Sequence, residues 1–275
     1  MARTHYENFP VASLLLPAHM RPHVAALYAF ARTADDFADE GDRTPEERER
    51  LLDDWRARLH AAVTSPATDP VFIAVAHTIK SCHLPIALFD DLISAFRQDV
   101  RVKRYATWAD VLDYCTRSAN PVGRLVLRIA GYDAPHLDRQ SDAVCTALQL
   151  TNFWQDLERD WDKGRLYVPR DDLAAAGASE EDVAGRRLTP ALRAALHAVA
   201  ARTRALFEDG RGIAGEVRGR LRWELRLTWL GGVRILDRLE RRGFDVFARR
   251  PALSTADVPV LAWRAMVWRD VRKMK

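Results

Sequence analysis

Two stretches of the chain place oxygen ligands on helical faces. The first, RTADDFADEGD from Arg32 to Asp42, holds five carboxylates and directly follows the apolar run HVAALYAFA. At about 100° per residue, Tyr28, Arg32, Asp35 and Asp39 fall within a band about 60° wide, with Val24 and Ala31 on its apolar border. The acidic row thus continues the stripe that should be buried. Carboxylates at a helix C-terminus also oppose the helix dipole, a cost that calls for a cation. The second stretch is LQLTNFWQDLERD, where Asn152, Asp156 and Asp160 recur at steps of four and Gln149 shares their side. Val144 and Leu148 lie close to this row, and Phe153 and Trp154 flank it. Each row has an arginine beside it.

Like charges about 5 Å apart repel by roughly 3 kcal/mol at an effective dielectric near 20, so two facing carboxylate rows would destabilise the fold or raise their own pKa values. Divalent cations remove that cost. Asp35, Asp36, Asp39, Asn152, Asp156 and Asp160 form an oxygen-only donor set that selects Mg²⁺, which keeps several waters and shares its remaining positions with substrate phosphates. Relief of repulsion predicts that Asp39→Ala or Asp156→Ala keeps the fold, with a melting temperature in the absence of Mg²⁺ that stays level or rises.

The elements that must carry these rows are helices. Apolar residues recur at three and four along the chain, alternation at two is scarce, and Ala, Leu, Arg and Glu are abundant. Breaks at Gly and Pro leave helices near 20–40, 45–62, 86–98, 107–130, 134–161, 190–209, 214–241 and 255–272. No linker or repeat divides the chain, so one all-α domain over residues 1–275 is expected, its helices surrounding a common interior. The formal charge of +4 is mild and dispersed, which does not suggest nucleic acid. Cys82, Cys115 and Cys145 are odd in number with no CxxC, which argues against a disulfide framework or thiolate zinc site and for a reducing, cytosolic setting. His5, Glu7 and Asn8 interrupt any signal-type apolar core, and no apolar run reaches the roughly 18 residues of a membrane span. A soluble or peripherally bound protein is expected.

The two rows, in their order and separation, resemble the motifs of the squalene and phytoene synthase family of trans-isoprenyl diphosphate synthases. Tyr28, Arg32, Asp35, Asp36 and Asp39 match its first, DDxxD-like motif, and Asn152, Asp156 and Asp160 match its second, NxxxDxxxD. The GRLYVP stretch containing Arg165 and the N-terminal NFPVASLLLP are also similar, so the resemblance covers nearly the whole chain. It implies an isoprenoid synthase helical bundle around a deep apolar cavity, with Mg²⁺ dependence. Departures narrow it. His5, Tyr6, Glu7 and Asn8 stand ahead of Phe9 where coupling enzymes usually carry a Ser/Lys-rich segment, and Phe244 stands where a Tyr is common. SANPVG replaces the family's VAG-x-VG stretch, leaving Tyr114 as a candidate and not a matched catalytic tyrosine. This combination looks like the bacterial hydroxysqualene synthases of hopanoid biosynthesis, which act on presqualene diphosphate.

With that substrate, the resemblance implies that Mg²⁺ held by the acidic rows neutralises the departing diphosphate, with Arg32 and Arg165 donating to it. Phe9, Leu148 and Phe153 are candidate cavity walls for the cation, and Asn120, Tyr114 and Asn152 are candidate anchors for the attacking water. An alternative is a presqualene diphosphate, dehydrosqualene or phytoene synthase joining two prenyl diphosphates, which would consume farnesyl diphosphate alone. A further alternative is a non-catalytic assembly factor or lipid carrier on the same fold, against which the intact acidic rows argue. Gly210, Gly212 and Gly215 spell GxGxxG, but ALFED before them ends a helix, whereas a dinucleotide fingerprint follows a strand, so no NAD(P)H is expected. Eight histidines show no zinc spacing. The segment DVPVLAWRAMVWRDVRKMK places Val260, Trp263, Val267 and Val271 at helical spacing among Arg264, Arg269, Arg272, Lys273 and Lys275, which fits peripheral contact with an anionic membrane at the inner face.

Overall fold

Local start signals define most helices. Thr44 accepts from the Glu47 N–H at 3.3 Å while the Glu47 carboxylate accepts from the Thr44 N–H at 2.8 Å, a capping box that opens a helix whose first residue is Pro45. Asp69 and Thr189 cap the helices beginning at Pro70 and Pro190 with single side-chain bonds, accepting from the Val71 and Leu192 N–H groups. The computed structural model describes residues 15–268, so Phe9, residues 8–14 of the NFPVASLLLP segment, Arg269, Val271, Arg272, Lys273 and Lys275 lie outside the described residues.

The described helices are, in order, α1 (Arg21–Asp39), α2 (Pro45–Thr64), α3 (Pro70–Cys82), α4 (Ala87–Arg101), α5 (Trp108–Ser118), α6 (Asn120–Ile129), α7 (Pro135–Gln155), α8 (Leu157–Asp162), α9 (Arg170–Ala175), α10 (Glu180–Ala184), α11 (Pro190–Gly210), α12 (Ile213–Glu216), α13 (Gly219–Arg241) and α14 (Asp257–Met266). The class is all-α. Among the described residues the only extended pairing is one isolated parallel bridge, Arg104 to Leu166. No described helix is long and apolar enough to cross a membrane.

Several boundaries differ from the periodicity reading. α3, α9 and α10 were not anticipated; the α3 sequence PVFIAVAHTIKSC is almost continuously apolar and carries little periodic signal. The expected helix over 107–130 is interrupted at Ala119, just before Asn120 and Pro121 open α6, and the one over 134–161 breaks at Asp156, whose φ of −104° and ψ of 17° leave the helical region. Residues 214–241 divide into α12 and α13, and the last helix is shorter than 255–272.

The chain folds into two compact units. Unit 1 comprises 1–102 and 116–138, with α1 to α4 and α6. Its core is aromatic: Phe30 of α1, fully buried, meets Trp55 at 5.7 Å, Phe72 at 6.4 Å and Phe89 at 5.5 Å between ring centroids. Unit 2 comprises 103–115 and 139–275. Here the buried Trp154 of α7 donates its indole N–H to Thr203 of α11 at 2.9 Å, and Trp229 of α13 donates to the Phe207 carbonyl at 2.7 Å.

The GxGxxG residues have a packing role in unit 2. Gly210 ends α11, and a Cβ there would come within 2.5 Å of the Val144 side chain and 2.6 Å of the Gln140 carbonyl on α7. A Cβ on Gly212 would meet the Gln140 amide at 3.1 Å. These glycines let the α11–α12 corner close on α7.

Candidate active site

The first acidic row belongs to unit 1. α1 runs to Asp39, so Asp35, Asp36 and Asp39 sit on formed helix and not on a frayed end. Val24, Leu27, Ala31, Ala34 and Ala38 of α1 are buried, and Tyr28, Arg32, Asp35, Asp36 and Asp39 lie partly buried beside them. Arg32 donates to Asp35 at 3.0 Å, reaches Asp36 at 2.5 Å and lies 3.7 Å from Glu40. One guanidinium therefore gathers the head of the row.

The second row belongs to unit 2. Asn152 donates its side-chain N–H to Asp156 at 2.8 Å, the expected four-residue contact on one helical face. Asp156 is buried, and the break in the helix occurs at this residue. Arg250 holds it in a two-pronged contact, Nε to one oxygen and Nη2 to the other at 2.8 Å, and Arg159 lies 3.7 Å away. Asp160 is partly buried. Its carbonyl accepts the Arg165 N–H at 2.7 Å, a turn that brings buried Arg165 back toward the end of the row. Arg250 went unnoticed in the sequence because its partner is 94 positions away and no local spacing links them.

The expectation of unrelieved repulsion within the second row is corrected here: Asp156 has a guanidinium counter-ion, and its burial is offset by charge-assisted hydrogen bonds. Asp156→Ala therefore removes the acceptor of Arg250 as well as a like charge.

Beside the second row stands an aromatic cluster. Phe153 and Tyr167 stack face to face at 3.7 Å with 3° between their planes. Tyr114 lies 6.1 Å from Phe153 and 5.9 Å from Tyr167, and Tyr105 lies 5.6 Å from Tyr167. All four rings are buried. A backbone clasp fixes them: the Leu166 N–H donates to Lys103, the Arg170 N–H to Tyr105 and the Asp171 N–H to Ala106, each at 3.0 Å. Arg104 fastens the same clasp through Gly164 and Glu180, both at 2.6 Å. Tyr105 and Tyr167 were not singled out from the sequence, although Tyr167 stands inside the GRLYVP stretch.

Leu148 is partly buried, and its side chain occupies the space that a Cβ on Gly232 would need, 2.6 Å away. Asn120 is buried as the first residue of α6 in unit 1, and Tyr114 belongs to unit 2. Phe9 is outside the described residues.

Among the described residues no three His, Cys, Asp or Glu side chains converge into a closed cage. A Mg²⁺ ion does not require one. It retains waters and takes one or two carboxylates together with substrate phosphate. The donors on each row are hard oxygens, partly buried and accompanied by guanidiniums that also suit phosphate, and this chemistry fits the ion.

An all-α fold bearing these two rows defines a class of isoprenoid synthase. The chain belongs to the squalene/phytoene synthase family, whose model matches residues 2–257. It is similar to the hydroxysqualene synthase of Rhodopseudomonas palustris, with 35% identity over 98% of this chain and 92% of the relative. The hydroxysqualene synthase of Zymomonas mobilis is 36% identical over 77% of this chain and 71% of its own length. In structure the chain resembles squalene synthase HpnC from Alicyclobacillus acidocaldarius, with a TM-score of 0.83 and 45% identity over 88% of this chain and 91% of that one. The names of these relatives differ in product, an alcohol in one case and a hydrocarbon in the other.

Proposed function

We propose that this isoprenoid synthase is a hydroxysqualene synthase, converting presqualene diphosphate and water into hydroxysqualene and diphosphate, as one synthase domain in the cytoplasm at the inner membrane face. The observation that carries the reading is the second row, with buried Asp156 held between Asn152 and Arg250 beside a buried aromatic cluster. Similarity to two hydroxysqualene synthases supports the choice of product.

Mg²⁺, when bound, supplies positive charge to the departing diphosphate. Asp35, Asp36 and Asp39 on one row, and Asn152, Asp156 and Asp160 on the other, are the residues that would hold it. Arg32 and Arg165 donate hydrogen bonds to phosphate oxygens as charge accumulates there. The carbon–oxygen bond breaks with both electrons leaving on diphosphate, and a cyclopropylcarbinyl cation remains. Because Phe153 and Tyr167 stack on each other, it is their outer faces, with Tyr114, that offer π density to the cation, which favours rearrangement over early capture. Leu148 adds apolar wall. Asn120, Tyr114 and Asn152 remain the candidate anchors for the water whose oxygen forms the new bond and whose proton is released. In this scheme no hydride is needed, and NAD(P)H takes no part.

The test is presqualene diphosphate with Mg²⁺ and no reductant, in ¹⁸O-labelled water. Hydroxysqualene with the label in its hydroxyl is expected. Squalene whose yield follows added NADPH, or efficient consumption of farnesyl diphosphate alone, would replace this reading with that of a reductive or coupling synthase.

A further inference from the structure

α14 is oriented contrary to an ordinary surface helix. Asp257, Leu261 and Ala265, spaced by four, are its buried residues. The opposite face is also apolar: Val260 is 40% exposed, Trp263 62%, Met266 59% and Val267 45%, with Val258 at the flank. A solvated helix would carry charge at these positions.

The helix is held firmly in that orientation. Asp257 accepts from Arg234 at 3.1 Å, from Arg238 Nη2 at 2.7 Å on each of its two oxygens, and from the Ser254 N–H at 2.7 Å, tying its start to α13. Arg226 of α13 donates to the Ala265 carbonyl at 2.9 Å at the other end. The apolar surface continues beyond α14, because the Arg226 guanidinium lies 5.2 Å from the Trp223 ring and 5.5 Å from the Trp268 ring, and Trp223 is 39% exposed. Leu253 adds a further exposed side chain.

The exposed charge on α14 and at the start of α13 is basic, while the exposed Glu208 near Trp268 lies 3.7 Å from Arg211, whose guanidinium is 4.9 Å from the Trp268 ring. Arg264 on α14 and Arg218 and Arg220 at the start of α13 are exposed, while Asp257, the only acidic residue of α14, is buried against its arginines. In sequence, RDVRKMK follows Trp268 with four basic residues to one acidic. A second copy of the chain meeting this face with its own would oppose like charges across the contact. Tryptophan, methionine and valine rimmed by arginine match instead the boundary between acyl chains and anionic headgroups.

We propose that the outer face of α14, with Trp223, is a docking surface for an anionic lipid bilayer, into which Trp263 and Met266 insert. The surface stands on this geometry; its purpose, discharge of a water-insoluble C30 alcohol, rests on the hydroxysqualene reading above. A C30 hydrocarbon chain is strongly disfavoured in water, so a lipid acceptor at the protein surface speeds release.

The experiment uses the full chain with vesicles of phosphatidylcholine alone or mixed with phosphatidylglycerol. Wild type is expected to float with the anionic vesicles at low salt, weakly with neutral ones, and to detach as salt rises. Trp263→Glu with Met266→Glu should weaken binding by about tenfold or more, and Arg264→Glu by less. The double variant should retain the wild-type circular dichroism and, in detergent, wild-type turnover of presqualene diphosphate, since neither residue touches the acidic rows. Failure of wild type to bind anionic vesicles, or wild-type binding by the double variant, overturns the surface while leaving the reaction assignment in place. A wild-type dimer that becomes monomeric in the double variant also overturns it, by showing that the face is covered by a second copy.

Discussion

At the residue scale, what could be read from the sequence was set by distance along the chain. Asn152 and Asp156 pair at four residues and Arg32 with Asp35 and Asp36 at three and four, so helical spacing alone predicts these contacts. Arg250 was invisible because only the folded chain carries it to Asp156. The same was true of the Phe153–Tyr167 stack, whose members are joined through the turn at Gly164. The hidden arginine reverses one expected result. Removing Asp156 leaves a partly buried guanidinium without its two-pronged acceptor, at a cost of roughly 1–3 kcal/mol. Asp156→Ala should therefore melt several degrees below wild type in EDTA. Asp39→Ala should melt closer to wild type, because the contacts it loses are offset by removal of a carboxylate that ends α1 against the helix dipole. Both variants should lose about 10²-fold or more of turnover, as expected when charge stabilisation of a leaving group is removed. Thermal melts and single-turnover assays on presqualene diphosphate check both parts; an Asp156→Ala melt at or above wild type removes Arg250 as the structural counter-ion.

At the scale of elements, helices with a proline in the first turn and one apolar stripe were legible nearly to the residue, as with α1 and α11, while those lacking contrast were not. α3 is apolar on most sides, and α9 and α10 are single turns too short to show a period. The GxGxxG match was legible as a helix break, but its cause, close approach of α7, is tertiary. Helix crossing also separates two adjacent glycines of α13. A Cβ on Gly232 would lie 2.6 Å from Leu148 on α7 and from Phe207 on α11, whereas the nearest atom to one on Gly231 is Leu253 Cδ1 at 3.4 Å. Gly232→Ala should cost about 1–3 kcal/mol by overpacking. Gly231→Ala should stabilise by about 0.5–1 kcal/mol, because alanine surrenders less backbone entropy in a helix. Urea melts of the two variants decide the matter, and equal shifts of one sign would show that α13 does not pack on α7 and α11 through Gly232. Gly232→Ala should also depress turnover if the displaced Leu148 lines the substrate cavity.

At the scale of the whole molecule, the all-α class follows from the three-and-four periodicity, but the division into two units does not, because the chain passes between them without a polar linker at residues 102–103, 115–116 and 138–139. Each unit carries titrating groups, and together they set the response of stability to pH. In unit 1, His23 stacks on His77 at 5.9 Å, and its pKa lies below the ordinary 6.5 because burial, then the charges of His77 and His19, disfavour the imidazolium. The unfolded chain takes up this proton first, so stability present above pH 6.5 is lost as pH falls to the folded value, with no further loss from this group below it. Lowered carboxylates act further down the scale, among them Asp90, Glu180 and Asp257. For Asp90 and Glu180, burial works against ionisation but is outweighed by Arg56 with His60 and by Arg104 with Arg170. For Asp257 the Ser254 N–H leads, helped by Arg234 and Arg238. All three sit below their ordinary range, so their stabilisation is complete above about pH 4 and is lost as pH falls through their folded values. Asp91 acts in the opposite sense, since burial raises it, and softens the acid limb. The melting temperature should therefore hold level above pH 7, decline shallowly below 6.5 and drop steeply below about 4. His23→Gln, which can still meet the Thr78 hydroxyl that lies 3.0 Å from His23 Nδ1, should flatten the first decline and leave the second unchanged. Scanning melts between pH 8 and 3 in low salt test this, and an unaltered shallow decline in His23→Gln would assign that step to another group.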